Sequence, residues 1–274
     1  MSHYRPGKFI DFHVHVFPDD VAPKAMELFI QAYHTQPLCD GTVAATLAHM
    51  EKAGIDLCVP QPVATKPTQV QSINNWALDV RSEHMFPFGC MHPDYPDPKA
   101  EIDRLIELGF RGIKLQPNWQ EFYPDEERLF PIYEAAEGRL TILFHAGQEV
   151  IDWETVRGSP DRFLKVHKRF PGLTMVLAHL GGYRKWNEVE EHLIGTGVYF
   201  DISFTPENLL SDPELIRLLR EHGTDKIVFA SDFPIRDPGP DAERLCRMDL
   251  TNDEKEDIAW RNATRLLEGR CFGT

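Results

Sequence analysis

The chain has 274 residues, and its hydrophobic fraction of 42% is enough to bury the core of one large domain or two ordinary ones. A formal net charge of −14 argues against nucleic acid as a partner, because nucleic-acid binding favours basic patches. The N-terminus has no apolar signal region and no apolar run approaches the length of a membrane span, so we expect a cytoplasmic protein with no membrane partner.

The cysteines are scattered, and none lies in a Cys-x-x-Cys pair. They are Cys39, Cys58, Cys90, Cys246 and Cys271. This pattern excludes a regular disulfide framework and argues against a zinc site built on cysteine. We expect all of them to be reduced thiols.

Eight short apolar runs rich in β-branched residues are predicted to be strands. They span 9–16, 57–63, 85–92, 112–116, 140–146, 173–180, 198–204 and 226–232. Several are apolar throughout, which is typical of strands buried on both faces of a parallel sheet. In the first run, FIDFHVHV, strand alternation places Asp11, His13 and His15 on one face.

Helical stretches separate these runs and carry start and stop signals. Asp97 stands before Pro98 as an N-cap, and Gly109 follows the helix. Ser159 and Pro160 repeat the same opening. Further helices are predicted at about 42–53, 187–195, 212–223 and 252–268.

The order of these elements, strand then helix eight times over, predicts a parallel sheet. Eight such units in roughly 250 residues is the size of a closed (β/α)8 barrel. An open doubly wound sheet is the alternative, but it usually has a glycine-rich loop after its first strand, and HVHVFPDD has no glycine. We therefore predict an α/β fold with a single TIM-barrel domain over residues 1–274.

Four histidines and one aspartate fall at the ends of predicted strands. Strand 1 ends with His13 and His15, strand 5 with His145, strand 6 with His179 and strand 8 with Asp232. Barrel active sites lie at the C-terminal ends of the strands, so these side chains should face a common mouth. Packing would explain any one of them, but the whole set favours a metal site.

These are the residue types that a catalytic divalent metal requires. Zinc takes His, Asp or Glu ligands and keeps a position open for water, and manganese and iron(II) accept similar sets. The metal lowers the pKa of its bound water toward about 7. Asp232 can ligate the metal and accept a proton from that water, while His179 can polarise the substrate or hold the hydroxide. We expect one divalent metal ion, zinc first and manganese second.

Five motifs occur in order between residues 11 and 234: DFHVH, GFRGIKLQP, FHAG, AHLGG and SDFP. On these motifs the chain resembles the amidohydrolase superfamily. The resemblance is closer to the amidohydrolase 2 group of TIM-barrel metal-dependent hydrolases and decarboxylases, which includes relatives of aminocarboxymuconate-semialdehyde decarboxylase. It implies that His13, His15, His145 and Asp232 are metal ligands, and that His179 is a catalytic partner beside the metal-bound water.

Strand 4 departs from the pattern of that group. Many relatives have a histidine where this chain has Gln116, and many two-metal members of the superfamily bridge their metals through a carboxylated lysine on this strand. Lys114 faces the same way as Gln116 by alternation, but a lysine paired with a barrel carboxylate is an equal interpretation. Without a clear second ligand set, we predict a single metal and an unmodified Lys114.

The loops after the strands should define the substrate. Trp119 and Tyr123 follow strand 4, Arg184 follows strand 6, and His92 ends strand 3. Aromatic residues interspersed with arginines suit a flat or conjugated ligand with a carboxylate, which arginine binds through two hydrogen bonds. We predict these four as substrate-binding residues, although aromatics that only cap the barrel would give the same pattern.

Three functions fit the sequence. The first is a metal-dependent hydrolase that uses an activated water on a small organic-acid amide, ester or lactone. The alternative is a metal-dependent, non-oxidative decarboxylase of an aromatic or unsaturated carboxylic acid. A barrel that binds without catalysis is the third, and the complete ligand set argues against it. The expected partner is a small molecule carrying a carboxylate, and the oligomeric state stays open, a homodimer included.

Overall fold

The fold is taken from a computed structural model, which describes residues 3–151 and 153–268. Eight short strands follow one another along this part of the chain, and every paired neighbour runs parallel. The strands are β1 (Ile10–Val14), β2 (Leu57–Pro60), β3 (Gly89–Cys90), β4 (Gly112–Leu115), β5 (Thr141–Phe144), β6 (Met175–Leu177), β7 (Tyr199–Asp201) and β8 (Ile227–Val228). All eight lie inside the predicted runs, which extend past them into the loops.

The strands close into a barrel in chain order. Strands β3 to β8 form one continuous sheet, and β1 pairs with β2. Backbone hydrogen bonds join these two sheets on one side, where Phe86 N–H donates to Cys58 O (2.9 Å). On the other side Phe12 N–H donates to Phe229 O (2.9 Å), beside β8. The prediction of a single-domain (β/α)8 barrel is confirmed, while its extent over all of 1–274 stays a prediction.

Helices follow the strands around the barrel. Within the described residues they are α1 (Ala22–Tyr33), α2 (Val43–Ala53), α3 (Val70–Asp79), α4 (Pro98–Glu107), α5 (Phe130–Ala136), α6 (Pro160–Arg169), α7 (Trp186–His192), α8 (Asp212–His222), α9 (Pro238–Arg247), α10 (Asn252–Glu256) and α11 (Asn262–Leu267). A π-helical turn over Asp257–Arg261 joins the last two. In the described ranges, none of these helices combines the length and the apolar character needed to span a bilayer.

The predicted helix starts are confirmed in position. The Asp97 side chain caps α4 by accepting from Ala100 N–H (3.0 Å). Ser159 precedes α6 in an extended conformation, but its hydroxyl donates to Asp161 (2.6 Å) rather than capping the helix. Helix α1 was not predicted, because Val21 at its N-terminus offers no side-chain cap. Cys39, Cys58, Cys90 and Cys246 are free thiols as expected, and Cys271 lies outside the described residues.

The barrel interior is filled by apolar side chains from strands all around it. One buried cluster contains Phe12, Val59, Phe88, Leu143, Val176 and Val228. The larger core lies between the strands and the surrounding helices, and it includes the outward-facing Ile142 and Phe144 of β5. This arrangement leaves the C-terminal ends of the strands for polar groups.

The short strand β3 depends on a side chain of α3. Asn74 Oδ1 accepts from Cys90 N–H (2.7 Å), and its Nδ2 donates to Cys90 O (3.2 Å) and to Glu101 (2.7 Å). A single buried amide thus satisfies both backbone groups of a strand residue in place of a neighbouring strand.

Substituting Asn74 by alanine should therefore lower the free energy of unfolding by about 1–3 kcal/mol, because it leaves buried backbone groups unpaired. Asn75→Ala is the matched control, since Asn75 is exposed and accepts a hydrogen bond from Arg104 (3.0 Å). Urea unfolding followed by circular dichroism measures both. Equal losses in the two variants would contradict this account of β3.

Candidate active site

The five residues predicted at the strand ends line one cavity at the C-terminal mouth of the barrel. They are His13, His15, His145, His179 and Asp232. Four of these side chains are buried and His15 is partly exposed. The structure therefore brings together all five residues that were selected by their position at strand ends, although they come from four strands and are spread over most of the chain.

Three of them form a compact cluster with the composition of a metal site. His15 Nε2 lies 3.0 Å and His13 Nε2 lies 3.6 Å from Asp232 Oδ1. One potential ligand atom from each of the three residues lies within 4.8 Å of the others. Two imidazoles and a carboxylate converging on one point fit a divalent cation.

Asp11 does not join this cluster, although strand alternation predicted it on the same face as the histidines. The pairing of β1 with β2 shifts register between Asp11 and Val14, and this shift breaks the alternation. The Asp11 carboxylate instead accepts from the N–H (3.0 Å) and the hydroxyl of Ser231.

His13 is held at both ring nitrogens. Its Nδ1 lies 2.9 Å from Asp201 Oδ2, and Lys114 Nζ donates to its Nε2 (3.1 Å). Burial, and then the nearby charge of Lys114, lowers the pKa of His13 to about 4. Burial also lowers the pKa of Lys114 to about 8.

His145 and His179 form a second pair beside the cluster. His145 Nδ1 lies 3.1 Å from His179 Nε2, and the Nε2 of His145 lies 3.0 Å from Gln148 O and 3.2 Å from Glu149 Oε1. His145 thus contacts protein groups through both ring nitrogens, and its role as a metal ligand stays a prediction. Burial, and then the charge of His145, lowers the pKa of His179 to about 3.

The two carboxylates nearest the histidines are held ionised. Burial alone would raise the pKa of Asp232, but its hydrogen bond with His15 holds it below its usual range. The pKa of Asp201 is likewise low against the effect of burial, because His13 and Ser203 stabilise its charge. Such buried carboxylates are stable only beside donors or cations.

Lys114 on β4 and Gln116 directly after it both line the cavity. Lys114 is almost fully buried, and it is the single lysine or arginine in the described cavity wall. Gln116 donates through Nε2 to Glu149 Oε1 (2.8 Å), so it orients an acid that contacts His145. Gln116 therefore acts on the histidines through Glu149.

Of the four predicted substrate residues, the cavity wall includes Trp119 alone. Tyr123 packs under Arg162, whose guanidinium lies 4.2 Å from the ring centre. Arg184 is exposed and stacks over Tyr183 at 5.1 Å. His92 is buried and accepts at Nδ1 from Asp94 N–H (3.1 Å). In this conformation the structure does not bring the last three to the cavity, because each is held by local partners.

The cavity encloses about 210 Å³ and its upper wall is largely aromatic. Helix α1 supplies Phe29 and Tyr33, and the loops after the strands supply Phe17, Trp119 and Phe204. Since a cavity of about 150 Å³ accommodates benzene, this one holds a single substituted ring. An apolar wall above a convergent polar floor is the usual form of a small-molecule site.

Sequence reasoning missed Asp201, Ser203, Glu149 and Tyr33 in this site. Asp201 ends β7 and Ser203 follows it, both within the run VYFDISF. The acid inside this apolar run was the one sequence feature that could have identified Asp201 as a site residue. Glu149 lies four positions after His145 in a loop, and no sequence motif marked it as a site residue. Tyr33 was missed together with α1.

A (β/α)8 barrel whose strand ends carry this His-His-Asp cluster is a scaffold for metal-dependent catalysis. The sequence matches the family model described as "Amidohydrolase" over residues 10–269. The chain therefore belongs to this amidohydrolase family, which confirms the resemblance of its motifs.

Solved structures with the same fold include one protein of unknown function and two decarboxylases. A TIM-barrel protein from Bordetella bronchiseptica is 18% identical and has a TM-score of 0.73, covering 96% of this chain and 99% of that one. The 5-carboxyvanillate decarboxylase LigW from Sphingomonas paucimobilis is 17% identical, with a TM-score of 0.74 and coverages of 95% and 99%. A dihydroxybenzoic acid decarboxylase from Polaromonas, with bound manganese and the inhibitor 2-nitroresorcinol, is 14% identical, with a TM-score of 0.70 and coverages of 95% and 97%.

The buried Asp11 should make stability depend on pH. Burial raises its pKa to about 7, against the hydrogen bond from Ser231, which lowers it. Because the unfolded value is about 3.9, proton binding favours the folded state. This contribution is complete below about pH 4 and is lost as the pH rises through about 7.

Asp11→Asn is neutral at every pH and should remove this dependence. Between pH 4 and pH 8, the wild type should lose stability relative to the variant by a few kcal/mol, since each pKa unit is worth about 1.4 kcal/mol. Urea unfolding at several pH values, with chelator present to exclude metal binding, measures the difference. A difference that does not change with pH would contradict the raised pKa.

Proposed function

We propose that this protein is a metal-dependent, non-oxidative decarboxylase of a small aromatic carboxylic acid. The observation that carries the proposal is the cavity of about 210 Å³, aromatic above and lined below by the His-His-Asp cluster and one lysine. This shape suits a flat ring whose carboxylate points toward the cations. The likeness to decarboxylases of hydroxylated benzoic acids supports the same choice over hydrolysis.

We propose one divalent cation, zinc or manganese, held by His13, His15 and Asp232, with His145 as a fourth ligand. The three clustered side chains fit such an ion by donor type and by separation. When bound, the ion would act as a Lewis acid toward the substrate's carboxylate. The manganese in the Polaromonas decarboxylase supports a divalent ion in a barrel of this kind.

Lys114 is proposed to stay unmodified and to bind the substrate's carboxylate. Its Nζ donates to His13 Nε2 (3.1 Å), the nitrogen that a metal would require. A cation on His13 therefore displaces the ammonium group, which then needs another acceptor. The described cavity wall has no arginine and no second lysine, so Lys114 is the side chain there that can pair with a ligand carboxylate as a cation.

His179 is proposed to supply the proton that replaces the carboxylate. His179 gives a proton to the ring carbon that carries the carboxylate. The bond between this carbon and the carboxylate then breaks, and carbon dioxide leaves. The electron pair of the broken bond restores the aromatic ring. Because burial lowers its pKa to about 3, His179 is neutral until His145, which faces its Nε2, passes it this proton. His145, 3.1 Å away, can then return a proton from solvent.

The ring of the substrate would pack against the aromatic wall. Trp119 stands at the mouth and pairs with Trp153 at 5.5 Å between ring centres, and Tyr33 faces the cavity from α1. Offset or edge-on contacts between such rings add to the effect of burying apolar area. We do not propose Tyr123, Arg184 or His92 as contacts of the substrate's ring, because these residues do not line the cavity.

A metal-dependent hydrolase is the second candidate, and one observation favours it. His179 is neutral near pH 7 because burial lowers its pKa, so it can accept a proton from an attacking water. The same residues would then serve an amide, ester or lactone. The two functions differ in the direction of proton transfer at His179.

The ligand assignment predicts how single variants change metal content. Purified protein should bind about one equivalent of zinc or manganese, and His13→Ala, His15→Ala and Asp232→Ala should empty the site. His179→Ala should keep the metal while activity falls by about 10²-fold or more, the usual contribution of a positioned acid or base. Elemental analysis after gel filtration measures the content.

Two further variants complete that experiment. His92→Ala is the control, because His92 does not line the cavity and should change neither metal nor activity. His145→Ala tests the fourth ligand, and full retention of metal would exclude it. Loss of metal in His179→Ala as complete as in His13→Ala would contradict the assignment of His179.

The reaction itself is tested with a panel of hydroxybenzoic acids, lactones and amides in D2O. Decarboxylation should release carbon dioxide and leave one deuterium on the carbon that carried the carboxylate, because solvent supplies the replacing proton. Mass spectrometry of the product measures the label. Turnover of a lactone or amide, with no carbon dioxide from any acid, would establish the hydrolase instead.

A further inference from the structure

One buried carboxylate contacts both histidine groups of the cavity. Asp201 is fully buried at the end of β7, and its Oδ2 lies 2.9 Å from His13 Nδ1. Its Oδ1 accepts from His179 N–H (2.9 Å), from Ser203 N–H (3.0 Å) and from the Ser203 hydroxyl. Asp201 therefore contacts a proposed metal ligand and the backbone of the proposed acid at the same time.

These contacts determine which nitrogen of His13 carries its proton. A carboxylate can only accept, so His13 Nδ1 must donate to Asp201. At the other nitrogen Lys114 can only donate, so His13 Nε2 must present its lone pair. Two independent neighbours thus require the same neutral tautomer, and Nε2 is the atom directed at Asp232 (3.6 Å).

Asp201 reaches the side chain of His179 through Ser203. The Ser203 hydroxyl donates to Asp201, so its oxygen accepts from His179 Nδ1 (2.9 Å). Ser203 O, 3.3 Å from the same nitrogen, can also only accept. His179 therefore carries its proton on Nδ1 and presents the lone pair of Nε2 toward His145.

We propose that Asp201 is the positioning residue of this site: it fixes His13 in the tautomer that binds a metal through Nε2 and, through Ser203, fixes the ring of His179. The part that concerns the metal rests on the proposed function, whereas the tautomer of His13 does not. A carboxylate behind a metal-binding histidine typically changes metal affinity by 10–100-fold when it is removed.

Asp201→Asn and Ser203→Ala separate the two branches. In Asp201→Asn the side-chain amide can donate to His13 Nδ1 and then competes with Lys114 for the single lone pair of the neutral ring, so His13 should no longer be held in the tautomer protonated at Nδ1. Manganese or zinc affinity, measured by competition with a chromophoric chelator, should fall by about 10–100-fold. Ser203→Ala keeps the short contact between Asp201 and His13 (2.9 Å) and removes only a longer one from the Ser203 hydroxyl to His13 Nδ1 (3.5 Å), so affinity should stay within about twofold while turnover falls.

The tautomer is read directly from long-range nitrogen–proton spectra of histidine-labelled protein without metal. The His13 signals are identified by their loss in His13→Ala. Wild type and Ser203→Ala should show the proton on Nδ1 of His13, and folded Asp201→Asn should show a smaller fraction of this tautomer. Thermal unfolding of each variant confirms that it is folded.

Several outcomes would overturn the inference. A wild-type His13 protonated at Nε2 would do so without any variant, which covers the case that Asp201→Asn fails to fold. Unchanged metal affinity in folded Asp201→Asn, or equal loss of affinity in Ser203→Ala, would do so as well. A protein that binds no divalent metal yet shows the expected tautomers would contradict the proposed function and leave the role of Asp201 intact.

Discussion

The backbone hydrogen bonds that close the barrel between β1 and β8 also build the site. Asp232 N–H donates to His13 O (2.9 Å), and His15 N–H donates to Phe233 O (2.7 Å). These two bonds directly join residues from opposite ends of the sequence. Asp232 has a φ of 71°, an unfavourable conformation for a residue other than glycine, and the same bonds hold it there. The same backbone hydrogen bonds that close the barrel therefore fix the backbone positions of the cluster.

Much of this arrangement could be predicted because it follows from strands and their ends. Buried parallel strands are apolar throughout, and the barrel rule then assigns His145, His179 and Asp232 to one mouth without any knowledge of contacts. Asp201 could not be assigned in this way. Its partner His13 is 188 positions away, and an acid in VYFDISF is equally consistent with the solvent-facing residue of an ordinary strand. Asp11 was placed wrongly because a register shift in β1 is not visible in an alternating pattern.

The loops were predicted less well than the strands, for a different physical reason. A strand end points where the sheet directs it, but a loop side chain goes to its best local partner. Tyr123 lies under Arg162 and Arg184 lies over Tyr183, so pairing of cations with rings turns both away from the cavity. Helix α1 shows the converse. It has no capping residue and buries only Ala22 and Met26 of its own, yet it supplies Phe29 and Tyr33 to the cavity wall.

The distribution of charge in the cavity restricts its ligand. Asp232 and Glu149 line the cavity, Asp201 is buried behind His13, and Lys114 is the single lysine or arginine among the described wall residues. Buried negative charge that exceeds the positive charge is costly unless a cation balances it. The proposed divalent ion would, together with Lys114, balance these three acids, and the described cavity wall has no arginine or second lysine to pair with further carboxylates. The wall above is apolar, so a further charged group on the ring would be buried without a partner. Within the proposed function, the shortage of cations in the described cavity wall therefore favours a ligand with few carboxylates.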